Sequence, residues 1–211
     1  MEPPDLLSND LGRGMSAPPA KGRLVVASPA LEDPNFHRTV VYLLAADGDG
    51  ALGVVLNRPS DTLINEVVPL WGIHASSPQV LFVGGPVHPN AAICVGRSAL
   101  PGPAAAVRPD EDDGEGSGFS PLIGALGTVD LNRGPEEIDM SFAGLRVFTG
   151  YAGWGPGQLE EEVEAGAWFV VEGRETDVLS EEPDSLWEQV LARQGGWLAV
   201  LARAPVDASL N

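Results

Sequence analysis

The sequence has little cysteine, no long apolar run and no secretion signal, and each absence narrows what the protein can be. Cys94 is the single cysteine among 211 residues, so no internal disulfide can form. Disulfides mark oxidising compartments, and we therefore expect a cytoplasmic protein. No apolar stretch approaches the ~18 residues of a membrane span, and the first residues lack the pattern of a signal peptide. We expect no contact with a membrane.

Positive charge is also scarce. Twelve Lys and Arg stand against thirty Asp and Glu, which gives a formal net charge of −18. Affinity for DNA, RNA and anionic lipid comes largely from neutralising phosphate charge, so such a chain is poorly suited to them. The charge favours solubility instead. We predict no direct contact with nucleic acid.

Residues for metal or nucleophilic chemistry are few and scattered. The three histidines, His37, His74 and His88, lie far apart, and no paired C-x-x-C occurs, so we predict no metal site and no cofactor. Cys94 lies in an apolar run, residues 92–95, which is typical of a small buried side chain. A serine-nucleophile G-x-S-x-G is missing as well. A triad assembled from distant residues stays open, since triads are defined by geometry.

The length fits one domain with a core of ordinary size. Residues 1–21 mix Pro, Asp, Ser and Gly without periodicity and are predicted to form a disordered leader. Either Met1 or Met15 could be the true start. We expect a single domain over residues 22–200 and a tail over residues 201–211.

An acidic stretch interrupts the expected domain. Residues 101–118 begin with Pro, Ala and Gly and continue into DEDDGE at residues 110–115, without an apolar face. We interpret this stretch as a mobile surface loop. Calcium binding is the alternative, because carboxylates bind calcium, but the spacing does not match an EF-hand loop.

The first half of the chain is predicted to be rich in strands. Residues 39–44 and 51–56 are apolar on both sides of the DGDG turn, which indicates a buried β-hairpin. Ser60 or Asp61 is placed to cap a helix whose apolar positions extend to Leu70. A strand over residues 79–83 is expected next, with residues 91–95 as its neighbour.

The second half alternates strands and helices. Strand-like runs occur at residues 23–27, 126–131, 145–148 and 167–171, and helices are expected after Pro156 and over residues 183–193. Together these elements predict a single-domain α+β fold: a mixed sheet or partial barrel with surrounding helices.

The most organised stretch is glycine-rich and follows the apolar run that ends at Phe148. Residues 150–157 read GYAGWGPG, and we interpret them as a turn that leads into a helix at Pro156. The stretch invites comparison with a phosphate loop. However, no Lys or Arg lies beside it, and four glutamates follow at residues 160–164, where they would repel an anion.

Polar and aromatic residues at the ends of the strongest elements are the candidate site, because sites concentrate at strand ends and adjoining loops. If they converge, they form a pocket for a small molecule or a protein partner; otherwise the arginines pair with acidic neighbours. A hydrolase with Glu160 or His37 as general base is the enzymatic alternative. The seven candidates are Arg38, Asn57, Arg58, Tyr151, Trp154, Gln158 and Glu160.

Five motifs in this order and spacing resemble the bacterial YqgE/AlgH family over about residues 22–194. The resemblance implies an α+β fold with a bifurcated, partly barrel-like sheet surrounded by helices. It also implies a cytosolic protein of a family without an established biochemical activity, one branch of which carries the label of a transcriptional regulator. The motifs are GRLVVASP (22–29), FHRTVVYL (36–43), GVVLNRP (53–59), GGPV (84–87) and GYAGWGPGQL (150–159).

Overall fold

A computed structural model describes residues 17–100 and 118–203. The described residues form one ten-stranded sheet with short helices packed around it. The strands are β1 (Arg23–Ala27), β2 (Val40–Asp47), β3 (Gly50–Val55), β4 (Pro59–Leu63), β5 (Val80–Val83), β6 (Val87–Ser98), β7 (Phe119–Pro121), β8 (Leu126–Val129), β9 (Phe142–Trp154) and β10 (Trp168–Glu172). The α-helices are α1 (Ile64–Val67), α2 (Gln158–Glu164), α3 (Glu175–Val178), α4 (Leu186–Ala192) and α5 (Gly196–Leu201).

The sheet branches at β9, in agreement with the α+β class and the bifurcated sheet expected from the sequence. Its main path runs β10-β1-β2-β3-β9-β6-β8-β7 and is antiparallel, and it curls into a half-barrel. β5 joins β9 as a parallel neighbour at Phe82 and Val83 and carries β4 on its other edge. β9 therefore pairs with β6 along one edge and with β3 and β5 in succession along the other.

Apolar side chains cover both faces of the sheet, as the nearly continuous apolar runs of β1, β2 and β3 predict. On one face, Trp187 and Leu191 of α4 pack with Leu24, Tyr42 and Phe148. On the other face, α2 covers a second layer, whose buried members include Val25, Val41, Trp154, Leu159 and Trp168. The site residues are thus divided between two faces of one sheet.

Three predictions about elements are wrong. Ser60 and Asp61 lie in β4 and cap no helix, because residues 59–63 pair with β5 and α1 has no side-chain cap. β6 is not the neighbour of β5, since β9 lies between them. The glycine-rich stretch up to Trp154 is strand rather than turn, because it continues β9 beside β3.

Both ends of the expected domain are partly described by the structure. At the end of the predicted leader, the Ala17 amide donates to the Val170 carbonyl and Lys21 Nζ to the Pro121 carbonyl. The expected tail from residue 201 begins inside α5. The acidic loop, its calcium alternative, Met1 and Met15 lie outside the described residues. No helix in the described ranges is long and apolar enough to cross a bilayer.

Tyr42 makes stability depend on alkaline pH. Burial, followed by the charge of Glu175, raises the pKa of Tyr42 to about 12 from an ordinary value near 10. Because the pKa of Tyr42 is higher in the folded state than in the unfolded state, the neutral phenol stabilises the fold. This contribution to the free energy of unfolding is complete below pH 10 and is lost as pH rises towards 12. At roughly 1.4 kcal/mol per pKa unit, the loss is on the order of 3 kcal/mol. We expect Tyr42→Phe to flatten urea-unfolding free energies measured across this pH range; an unchanged slope would contradict the assignment.

Candidate functional site

Three of the seven candidate residues meet where β3 ends and β2 begins. Asn57 is buried, and its Oδ1 accepts a hydrogen bond from the Val40 amide at 2.9 Å. Its Nδ2 donates to the Arg38 carbonyl at 2.8 Å. The Arg58 guanidinium donates to the carbonyls of His37 and Asn57. These hydrogen bonds connect the segment before β2 to the turn after β3. They also give the buried Asn57 side chain the partners that polar groups inside a protein require.

Arg38 faces α4, and Arg58 lies near Asp184 in the 3₁₀ helix Pro183–Ser185 before it. Arg38 has a left-handed backbone, with φ 53°, and its guanidinium lies 4.6 Å from the centre of the Trp187 ring. Its Nη1 is 3.4 Å from Glu188 Oε1. Burial lowers the pKa of Arg58, while the nearby charge of Asp184 opposes that shift. The arginines therefore have acidic neighbours, as one of the two sequence-based interpretations expects.

The remaining candidates lie elsewhere. Trp154 is on the face covered by α2, where Glu162 Oε2 accepts hydrogen bonds from its indole and from that of Trp168, at 3.0 and 2.7 Å. Gln158 donates to Glu162 Oε1 at 2.9 Å. Glu160 is exposed on α2. Tyr151 lies beside His88, with 5.8 Å between the ring centres. The structure thus brings three of the seven residues together and places Trp154 and Gln158 at a second position, where both bond to Glu162.

The geometry offers little to the enzymatic alternative. His37 Nδ1 lies 3.1 Å from the Leu31 carbonyl, with which it shares a hydrogen bond. Glu160 has an exposed position, and Cys94 is a buried free thiol whose pKa is raised by burial. Within residues 17–100 and 118–203, no group of three His, Cys, Asp or Glu side chains is arranged to hold a metal ion.

The two glycine motifs cross each other where the sheet branches. The Gly84 amide donates to the Thr149 carbonyl, and the Gly84 carbonyl accepts from Val55, so this residue links β9 to β3. A Cβ on Gly150, at φ 68°, would lie 2.4 Å from the Gly85 carbonyl oxygen. A Cβ on Gly85, at φ 152°, would lie 2.2 Å from the Tyr151 carbonyl carbon. Only glycine permits backbones to approach this closely.

Four exposed aliphatic side chains form a row along the segment that begins at the last residue of β4. They lie three or four residues apart in the sequence, and the segment continues through α1 and the 3₁₀ helix Pro69–His74. Ile64 and Trp71 of the same segment are buried. We name this row the apolar ridge; its members and their exposed fractions are Leu63 (51%), Val67 (52%), Leu70 (62%) and Ile73 (84%).

The comparisons with known proteins agree with this architecture. Residues 24–199 match the family model described as AlgH-like. The chain belongs to the AlgH-like family. Members with the name UPF0301 protein are 48% identical over 190 residues in Streptomyces avermitilis and 40% identical over 190 residues in Mycobacterium marinum. These alignments cover 90% of this chain, and 94% and 90% of the two relatives respectively.

Two solved structures share the AlgH-like fold. DIP2367 from Corynebacterium diphtheriae superposes with a TM-score of 0.83 at 32% identity, covering 94% of this chain and all of that one. The solution structure of AlgH from Pseudomonas aeruginosa superposes with a TM-score of 0.61 at 26% identity. That alignment covers 92% of this chain and 99% of AlgH. The resemblance drawn from the motifs is thereby confirmed.

Two features of this AlgH-like chain are not predicted from its sequence. The apolar spacing of residues 63–70 predicts a helix, but in the structure Leu63, Val67 and Leu70 are exposed. Ile64 and Trp71 are buried instead, and Val68 packs against their cluster. Arg97 and Arg146 were not singled out at all. Each is a lone cation in an apolar strand, and that contrast is the signal that could have identified them.

Proposed function

We propose that this AlgH-like chain is a binding protein with a regulatory role, and that a protein partner docks on the apolar ridge. The supporting observation is the exposure of its four large aliphatic side chains, which reaches 84% at Ile73. Soluble proteins seldom expose neighbouring apolar groups without an interaction to cover them. The proposal places this binding in the cytoplasm, as the lone cysteine favours.

Charge defines the kind of partner. Asp61 and Glu66 are exposed on the same segment as the ridge, in a chain with a net charge of −18. The complementary surface is an apolar groove with a rim of Lys or Arg, because opposite potentials steer association and exclude wrong partners. The same acidity argues against a DNA duplex, so regulation would act through the bound protein.

A photo-reactive residue at the ridge tests the proposal. We would place p-benzoylphenylalanine at position 73 and, as a matched control, at Val200, an apolar residue that is 71% exposed on α5. We expect position 73 alone to yield a cross-linked adduct with one other protein in cells of the native host. That protein should carry an apolar, basic-rimmed groove.

Three results would contradict the proposal. An adduct of two copies of this chain would make the ridge a self-association surface. Equal adducts from positions 73 and 200 would indicate non-specific capture. An absence of adducts from position 73 would remove the ridge as a docking surface. The seven-residue set stays a separate hypothesis for the recognition site, and it is compared with the ridge directly in the Discussion.

A further inference from the structure

A cleft of about 560 Å³ lies between the strand pair β6–β9 and α3, apart from the seven candidate residues. Its volume is within the range of small-molecule sites. Hydroxyl groups of Ser76, Ser77, Thr176 and Ser180 are among its lining, together with the cation of Arg97. The cleft therefore combines hydrogen-bonding groups with one positive charge at its wall.

Arg97 has an unused donor. Its Nε is buried from solvent and has no hydrogen-bond partner among the described residues. Arg97 lies opposite Gly144 in the β6–β9 pair, where a side chain would stand 2.3 Å from Ser76 Oγ. The missing side chain lets Ser76, another residue that lines the cleft, lie directly against this strand pair. A buried N–H without an acceptor is costly, and no group in the described part of the chain compensates for this one.

A second arginine lies behind the same wall. Arg146 pairs with Val95, two residues from Arg97, so both arginines extend from the same face of the sheet. Arg146 is 1% exposed, and it donates to the carbonyls of Ser77, Val178 and Ser180 at 2.8 to 3.1 Å. Burial lowers its pKa to about 10, and no ion pair neutralises it within the described part of the chain. Its charge makes the cleft attractive to an anion.

Negative charge lines the same cleft without neutralising Arg97. Glu181 and Glu182 both line it, yet neither forms an ion pair with Arg97 in the described structure. Glu182 Oε2 instead accepts a hydrogen bond from Gln189 at 3.1 Å. Opposite charges that line one cleft but stay apart are suited to a ligand that carries both charges.

We infer that this cleft binds a small zwitterion, whose oxyanion contacts Arg97 and whose ammonium group lies towards Glu181 and Glu182. The guanidinium is a planar fork that fits phosphate and carboxylate oxygens. Phosphate and carboxylate share this chemistry, and the experiment separates them. The cleft of about 430 Å³ beside Cys94 is a weaker candidate, because its one cation, Lys21, already donates to the Pro121 carbonyl.

An NMR titration tests the inference through the Arg97 Nε–H signal, which Arg97→Gln identifies by its loss. The probes are phosphoethanolamine, β-alanine, ethyl phosphate and ethanolamine. We expect one of the two zwitterions to shift the Arg97 signal at millimolar concentration, and to bind better than the anion or the amine alone. Arg97→Gln should weaken this binding at least about tenfold, as loss of a charged hydrogen bond predicts. Arg203→Gln, which removes an exposed charge at the far end of α5, should leave the binding unchanged.

Removing the two carboxylates should change the affinities for a zwitterion and for an anion in opposite directions. In the double variant Glu181→Gln and Glu182→Gln, we expect weaker binding of the zwitterion that binds the native protein and tighter binding of ethyl phosphate. Equal changes for both probes, unchanged binding in Arg97→Gln, or no shift of the Arg97 signal with any probe would overturn the inference. Thermal unfolding of each variant verifies that it is folded. The readout is independent of cross-linking at the ridge, so failure of either proposal leaves the other testable.

Discussion

Gly150→Ala is expected to lower the free energy of unfolding by about 3 kcal/mol or more. Gly150 has φ 68°, and a Cβ there would lie 2.4 Å from the Gly85 carbonyl oxygen. Left-handed strain and a clash with backbone each cost on the order of 1–3 kcal/mol. Gly85 is held in place, because the adjacent Gly84 is hydrogen-bonded to both β3 and β9.

A glycine series isolates this effect, measured by urea unfolding followed by circular dichroism. Gly85→Ala should be as damaging as Gly150→Ala, since its Cβ would lie 2.2 Å from the Tyr151 carbonyl carbon. Gly153→Ala should cost little, because its nearest contact is a side-chain atom at 3.4 Å. Gly157→Ala, at φ 75° in open space, should cost about 1 kcal/mol. Equal effects at all four positions would contradict the crossing as the cause.

Asp177→Ala is expected to have the second large effect, about 3–5 kcal/mol. The Asp177 side chain is 6% exposed, and Arg193 contacts both of its oxygens, at 2.5 and 2.8 Å. The same carboxylate accepts the Arg174 amide at the start of α3. Removing it leaves a largely buried guanidinium and a backbone N–H without their acceptor. Chemical denaturation measures the loss.

Two further variants separate the ion pair from the local helix. Asp177→Leu combined with Arg193→Met should recover part of the loss, because it removes the charge that Asp177→Ala leaves uncompensated. Glu181→Ala, at an exposed position near α3, should change stability by less than about 0.5 kcal/mol. A double variant as unstable as Asp177→Ala would show that the uncompensated charge of Arg193 is not the cause of the loss.

The sequence predicted the elements whose apolar runs have a single interpretation. The runs at β1, β2, β3 and β10 carry enough β-branched residues to be recognised as strands. The glycine-rich half of β9 was misread because glycines punctuate turns far more often than strands. Here they allow two backbones to cross at Gly85 and Gly150, which are 65 positions apart in the sequence. No local pattern contains that information.

The segment after Asn57 shows why the ridge was missed. Its apolar spacing fits a helix, but residues 59–63 pair with β5 and Pro69 begins a 3₁₀ helix, so α1 between them has a single turn. The apolar pattern does not show which of these side chains are buried in the core. In the structure Ile64 does, whereas Leu70 is 62% exposed.

The candidate site was predictable only in part. Strand ends do bring Arg38, Asn57 and Arg58 together, as the general rule suggests. Trp154 was placed with them because the glycine-rich stretch was taken for a loop, but β9 carries it to the opposite face. Arg97 escaped notice because a net charge of −18 averages over the chain and hides a local cation.

Recognition through the apolar ridge is tested most directly by the yield of cross-linked partner in two variants. With p-benzoylphenylalanine at position 73, we would compare Leu63→Ser plus Leu70→Ser with Arg58→Lys, both below their unfolding temperatures. The ridge variant should lose the adduct while its melting temperature stays unchanged, since both side chains are more than half exposed. Arg58→Lys should retain the adduct. Loss in Arg58→Lys with retention in the ridge variant would contradict the claim and support the strand-end site.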